Sequence, residues 1–403
     1  MCGIVGACAE RLPRGLLDQA VERLHHRGPD DRGTWGDDHA SLGFARLSII
    51  DLSPAGHQPM QSPDGRHVLV FNGEIYNFPE LRQELEQQGE SFEGHSDSEI
   101  LLRLFIRFGF EACLARLRGM FAFAVWDRAE QRLSLARDRL GVKPLVYAQT
   151  GDRFLFASEI QALFALDPEL SREPDIEAIG HYLTLQYIPA PMSGFRAIRK
   201  LPPAHAMTVR HGRIERLFRY WDIDLEQRSR LGFQDACAAL REQVLEATRL
   251  RLVSDVPLGA FLSGGIDSSI TVAAMARLGA APLKTFSIGF GDERFNELPF
   301  ARQVARHLGT DHQEMMVSPD AVDVMPRMID HLGEPMADSS IMPTYYVSRF
   351  ARSQVTVALT GDGGDEAFAG YRRFYQMRRM DWLARSGLVP PVSYTHLRAH
   401  ETR

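Results

Sequence analysis

The stretch "VPLGAFLSGGIDSS" (256–269) runs an apolar segment straight into a glycine pair and a polar helix opening. That is the strand-to-helix turn of an alternating strand–helix chain. The alternation continues on both sides. Upstream, Cys237, Leu240, Val244 and Ala247 fall in helical phase. Downstream follow the strand "KTFSIGF" (284–290), the helix "LPFARQVARHLG" (298–309) and the strand "VTVALTG" (355–361). The order predicts an open parallel sheet with helices on both faces. Ligands of such sheets bind at the carboxyl ends of strands, which directs attention to the loops after residues 262, 290 and 360.

The first 165 residues have a different texture. "HVLVFNG" (67–73) and "GMFAFAVWD" (119–127) read as strands, rich in β-branched and aromatic residues and ended by turn residues. "FPELRQELEQQG" (78–89) and "DSEILLRLFIRFG" (97–109) read as helices, the second with Ile100, Leu101, Leu104, Phe105 and Phe108 on one face. Between the two textures, 166–230 holds the proline-rich runs "YIPAPMSGF" and "KLPPAH", and is read as a connecting segment. A chain of 403 residues is long for one core, so two domains are expected, at 2–165 and 231–391.

Composition narrows the class. Apolar residues are 44% and charged residues 24%, ordinary values for a globular enzyme. A net charge of −6 gives no reason to expect nucleic acid or an anionic membrane as partner. The basic stretch from 195 to 218 is interrupted by Leu, Pro and Phe and reads as a solvated face. No apolar run approaches a membrane span, and no basic-then-hydrophobic leader is evident. Cys2, Cys8, Cys113 and Cys237 form no C-x-x-C pair, which argues against zinc or a disulfide framework and fits a cytoplasmic enzyme.

Two groups of residues carry chemistry. At the start, "MCGIVG" (1–6) places a cysteine second. A free thiol has a pKa near 8.5 and needs a base. Loss of Met1 would leave Cys2 with an α-amino group of pKa about 7.7–8.0, able to serve its own side chain. "FNGEIYN" (71–77) sets Asn72 and Gly73 at a strand end, a natural oxyanion hole of one side-chain amide and one backbone N–H. In "FARLSIID" (44–51), Arg46 can clamp a carboxylate; in "EGHSDSE" (93–99), Asp97 can pair with an ammonium or cap the next helix. "HHRGPDDRG" (25–33) reads as a turn without assignable chemistry.

These segments, in this order and spacing, resemble the glutaminase domain of glutamine amidotransferases with an N-terminal cysteine nucleophile. The resemblance implies a four-layer αββα sandwich of the α+β class. It also implies that Cys2 attacks the glutamine amide, that Asn72 and Gly73 stabilise the oxyanion, and that Arg46, Glu74 and Asp97 hold the α-carboxylate and α-amino groups.

In the second group, Ser263, Gly264 and Gly265 are expected to offer backbone N–H groups beside a helix N-terminus, which suits pyrophosphate. The pattern is not Walker A. Asp267 beside bound pyrophosphate calls for Mg²⁺ between them. The loop "TGDGGDE" (360–366) adds Asp362, Asp365 and Glu366 at another strand's carboxyl end.

"SGGIDSS", "FSIGF", "EPMADSS" and "TGDGGDE" resemble the ATP-pyrophosphatase domain of the glutamine-hydrolysing asparagine synthetase family. By that resemblance this half is an α/β parallel-sheet domain that takes ATP and aspartate, forms β-aspartyl-AMP and pyrophosphate, and uses ammonia from glutamine to displace AMP. Ser263, Gly264, Gly265, Asp267, Ser268 and Ser269 would hold the pyrophosphate, with Asp267 and Asp365 on Mg²⁺. Leu262 and Ile288 would meet the adenosine, with Thr360 and Gly361 nearby, and Asp362 would stand near the reacting centre. A homodimer is compatible with the family. The competing expectations are a related amidotransferase that adenylates another carboxylate, and a binding module whose catalysis has decayed; intact Cys2, Asn72, Ser263, Asp267 and Asp365 speak against the latter.

The family pattern continues past the acidic loop with an R-x-P-F-L-D type motif and a lysine tied to the adenylated intermediate, neither of which occurs here. Residues 392–403, "VSYTHLRAHETR", show no apolar period and read as a non-native tail from cloning or adaptor sequence. The 403-residue chain is therefore expected to form little or no asparagine. Pyrophosphate release dependent on aspartate and ammonia is the measurement, and a normal rate would contradict the expectation.

Overall fold

The computed structural model describes residues 1–8, 12–280, 282–292, 296–317 and 321–386. The tail expected at 392–403 lies outside them. The chain divides into two compact units: Met1–Tyr182 with Tyr187–Arg230 and Val322–Ala337, and Leu183–Gln186 with Leu231–Ala321 and Asp338–Arg403.

The first unit opens with β1 (Gly3–Cys8), α1 (Arg14–Arg23), β2 (Asp31–Gly36) and β3 (Ala40–Arg46). There follow β4 (Met60–Gln61), β5 (His67–Ile75), the helices α2 (Phe78–Gln87), α3 (Asp97–Phe108) and α4 (Phe110–Arg116), then β6 (Gly119–Asp127) and β7 (Arg132–Arg137). It continues through β8 (Val146–Thr150), β9 (Arg153–Ala157), α5 (Ile160–Leu166), α6 (Ile176–Leu185), β10 (Ile198–Lys200), β11 (His205–Arg210) and β12 (Arg213–Arg219). Two antiparallel sheets result, ordered β10-β8-β9-β1-β3-β2 and β12-β11-β7-β6-β5-β4. The stretch read as a connecting segment thus supplies β10 to one sheet and β11 and β12 to the other. Its prolines cluster in the turns around these short strands.

The sandwich follows from strand alternation. Along β5, Val68 and Val70 enter the core between the sheets, whereas Leu69 and Phe71 pack outward under α2, α3 and α4. Along β1, Ile4 and Cys8 point between the sheets, while Val5 and Ala7 meet Leu17, Val21 and Leu163 of α1 and α5. Helices therefore cover both outer faces, giving the four layers αββα.

The second unit alternates as its sequence predicts. α7 (Phe233–Leu250), β13 (Leu258–Phe261), α8 (Ile266–Arg277), β14 (Lys284–Phe290), α9 (Leu298–Leu308) and β15 (Asp311–Val317) come first. After α10 (Ala321–Leu332), most of which belongs to the first unit, come α11 (Ile341–Arg352), β16 (Val357–Leu359), α12 (Gly364–Phe368) and α13 (Arg372–Arg385). The four strands are parallel in the order β15-β14-β13-β16. Ala260 and Leu262 bury against Val272, Met275, Ala301 and Ala305 on one face, and Phe286 packs against Val347 and Ala351 on the other.

Phe156 is fully buried between the two antiparallel sheets. Phe156→Ala should cost about 3–5 kcal/mol, read as a lower urea midpoint for unfolding of the first unit.

Candidate functional site

The alternation that builds the first unit also gathers its polar residues. Arg46 follows Leu42 and Phe44 in the even, inward register of β3, and Asn72 follows Val68 and Val70 in that of β5. Cys2 keeps the register of Ile4 and packs against the same core. Gly3 pairs with Ala45, so Cys2 and Arg46 lie at one end of the sheet.

Around Cys2 the contacts are specific. Its Sγ accepts a hydrogen bond from the Leu47 N–H at 3.5 Å and lies 3.6 Å from the Leu47 carbonyl oxygen. Its own carbonyl accepts from Nε of Arg27 at 2.9 Å, and Arg27 Nη1 donates to Glu159 at 2.7 Å. Burial pushes the thiol pKa up, opposed by the nearby amino terminus and the Leu47 N–H. The Met1 amino group is driven the other way, down to about 5, chiefly by burial.

Asn72 is fully buried, and neither its Nδ2 nor its Oδ1 has a hydrogen-bond partner among the described residues. A buried amide left unpaired costs on the order of 1–3 kcal/mol per group. Gly73 beside it pairs with Phe121 of β6, and half-buried Glu74 pairs with Met120.

Arg46 is less open than its type suggests. Its guanidinium donates to the carbonyls of Asp51 and, at 3.2 Å, Ser53, so part of its fork holds the loop after β3. Asp97 opens α3 without capping it; Ser96 is the cap, accepting from the Glu99 N–H at 3.3 Å. The Asp97 carboxylate instead accepts from the Ile75 N–H at 2.9 Å. Burial raises its pKa to about 7, the Ile75 hydrogen bond opposing and Glu74 reinforcing the shift.

Sequence reasoning missed three contributors. Arg27 and Asp30 belong to the stretch read only as a turn. Asp30 accepts from the Ser48 N–H at 2.8 Å, tying that turn to the segment that touches Cys2. Lys143, 3% exposed, carries a charge that acts on both Cys2 and Glu74. No local spacing points to any of them, because each acts on a partner remote in sequence.

In the second unit, the loop after β13 is held by its own hydroxyls. Ser263 N–H donates to Ser268 Oγ at 3.3 Å, and Gly265 N–H donates to Ser263 Oγ at 3.1 Å. These two N–H groups, expected to face phosphate, are instead bound by serine oxygens, because Ser263 and Ser268 also hold each other at 3.0 Å. Gly264 has φ +86°, and a Cβ there would fall 2.5 Å from the Ala301 backbone nitrogen, so the position admits glycine alone. Ser269 Oγ is buried without a hydrogen-bond partner among the described residues. Leu262 is 1% exposed and sits in the core. Ser287 Oγ donates to its carbonyl. Ile288 is half-buried near the end of β14.

The acidic loop meets this turn. A Cβ on Gly364 would lie 2.4 Å from Cγ of Asp267, and Thr271 Oγ1 donates to the carbonyls of Asp267, at 3.1 Å, and Thr360, at 3.4 Å. Gly361 lies against the backbone of Asp267 and Ser268. Thr360 Oγ1 donates to the exposed Asp362 carboxylate at 2.8 Å, and Asp365 is half-buried at the start of α12.

A family model described as glutamine amidotransferase domain matches residues 1–221, and one described as asparagine synthase matches 239–402. The chain belongs to the glutamine-hydrolysing asparagine synthetase family. Within it, "Asparagine synthetase [glutamine-hydrolyzing] 1" of Bacillus subtilis is 36% identical over 385 residues, covering 92% of this chain and 59% of the relative. "Putative asparagine synthetase [glutamine-hydrolyzing] 2" of Methanocaldococcus jannaschii is 33% identical, covering 95% and 78%. "Amidase chyE" of Penicillium rubens is 32% identical, covering 96% and 58%. The chain spans about three fifths of the length of several curated relatives it matches. Among the described residues, no helix is long and apolar enough to cross a membrane.

The folded chain holds the Asp97 proton more tightly than the unfolded one does, so this group lowers stability as pH rises from about 4 to about 7. Asp97→Asn should raise the melting temperature at pH 8 and change it little at pH 4, as read by thermal unfolding at the two pH values.

Proposed function

We propose that the first unit hydrolyses glutamine at Cys2, and that the second activates the aspartate side-chain carboxylate with ATP for attack by the ammonia released. The observation that carries the first half is the buried, unpaired Asn72 amide on the inward face shared by Cys2 and Arg46. Its Nδ2 suits the oxyanion of a tetrahedral intermediate, a role in which preorganised donors have their largest effect.

Removal of Met1 makes the Cys2 amine the general base. Burial favours a protonated thiol, and the proton passes from Sγ to the freed amine as Sγ attacks the amide carbon. The tetrahedral intermediate collapses as the amine returns that proton to the leaving nitrogen; ammonia departs and a thioester remains. Water then releases glutamate and restores the thiol. Asp97, ionised once it meets the substrate ammonium, and the remaining donors of Arg46 hold the two ends of the amino acid.

In the second unit, the aspartate β-carboxylate attacks the α-phosphorus of ATP, and pyrophosphate leaves. Ammonia then attacks the acyl carbon and AMP leaves. The α8 N-terminus and the unpaired Ser269 hydroxyl suit the departing phosphates, while Ser268 shapes the loop. Asp267 and Asp365 are hard carboxylate ligands of the kind Mg²⁺ takes. Bound there, Mg²⁺ would neutralise the pyrophosphate charge. Compartment and assembly follow the family expectation: a cytoplasmic enzyme, compatible with a homodimer.

A relative named as an amidase supports a second reading, in which a different acid is activated. Pyrophosphate release with another acid and none with aspartate would select it. For the first unit, the purified chain should lack Met1 by intact mass. Cys2→Ala should abolish glutamine hydrolysis, and Asn72→Ala should lower kcat by about 10²–10³ with KM within a few fold. Retained hydrolysis in Cys2→Ala, or a functional chain that keeps Met1, would overturn the assignment.

A further inference from the structure

The loop between β7 and β8 is fixed from within. The Asp138 carboxylate accepts from the N–H groups of Phe121, Leu140, Val142 and Lys143 at 2.9–3.2 Å. Arg137 donates to the carbonyls of Lys143 at 2.8 Å, Gly141 at 2.7 Å and Leu201 at 2.6 Å. Lys143 therefore leaves a rigid backbone, and its side chain is 97% buried, being 3% exposed.

At its tip, the one hydrogen-bond partner among the described residues is the thioether of Met1, 3.0 Å from Nζ. Sulfur is a weak acceptor, and buried ammonium groups are costly unless paired. A leucine or methionine would fill the same space without that cost. The charged and titratable groups facing Lys143 come from several elements: the Met1 amino group and Cys2 ahead of β1, Arg27 after α1, Glu74 near the end of β5, and Asp138 on its own loop. Asp97, from α3, faces Cys2 in turn.

We propose that Lys143 is a positioning residue for Cys2, whose buried ammonium is freed from its thioether partner when Met1 is removed and then stabilises negative charge on the nucleophile. This rests on Cys2 being the nucleophile. The coupling is reciprocal: the cysteine thiolate favours the charged lysine, and the charged lysine favours the thiolate, against burial that opposes both.

The test uses the full chain processed to Cys2, with Lys143→Gln, Lys143→Met and Lys143→Arg. Iodoacetamide modification of Cys2, followed by intact mass across pH, gives the thiol midpoint; glutaminase assays give kcat and KM. Removing the charge should move the midpoint up by about one pH unit and lower kcat/KM at pH 7 by about tenfold. Lys143→Arg should keep the wild-type midpoint. If Lys143→Gln folds poorly, Lys143→Met carries the same measurement. An unchanged midpoint in the charge-removing variants overturns the proposal, even if activity falls. Retained hydrolysis in Cys2→Ala would instead strike the nucleophile assignment, so the two failures are distinguishable.

Discussion

The ion pair between Arg27 and Glu159, with the Arg27 Nε on the Cys2 carbonyl, is the constraint on which the first unit's chemistry depends. Chain ends fray unless tied down. Here the end enters a strand flanked on both sides by β3 and β9, and the residue before that strand is held by a side-chain clamp. His26 reinforces the clamp at 3.0 Å from the same Glu159 oxygen. Burial would raise the Glu159 pKa, but His26 and Arg27 together hold it below the usual carboxylate range. The clamp therefore persists as an ion pair at neutral pH, and a residue near the terminus gains the fixed geometry of one inside an element.

The two sites achieve preorganisation by different means. In the first, strand register directs polar side chains into an apolar interior, where the Asn72 amide has no hydrogen-bond partner among the described residues. In the second, the Phe300–Ala301 backbone leaves no room for a methyl group at Gly264, the Asp267 carboxylate packs against Gly364, and serine hydroxyls hold the loop's shape.

How far this was legible in the sequence follows from the distance over which each signal acts. The strand at 284–290 and the strand at 119–127 were readable to the residue, because their composition and their stops are local. The shared inward face of Cys2, Arg46 and Asn72 follows from alternation once the strands are placed. The turn at 25–33 stayed silent because Arg27 meets Glu159 across 132 positions of sequence. The strands within 166–230 were hidden by prolines that mark their turns.

Val322–Ala337 belongs by its contacts to the first unit, although the sequence before and after it builds the second. His331 lies with its ring centroid 4.1 Å from that of His26, and Glu334 accepts from the Gly194 N–H at 3.1 Å and pairs with Lys200. The first unit is thus discontinuous along the chain. During synthesis, its last piece emerges from the ribosome only after roughly a hundred residues of the other unit. Its completion is then timed by translation, and no single cut at the end of its leading segments can release it whole.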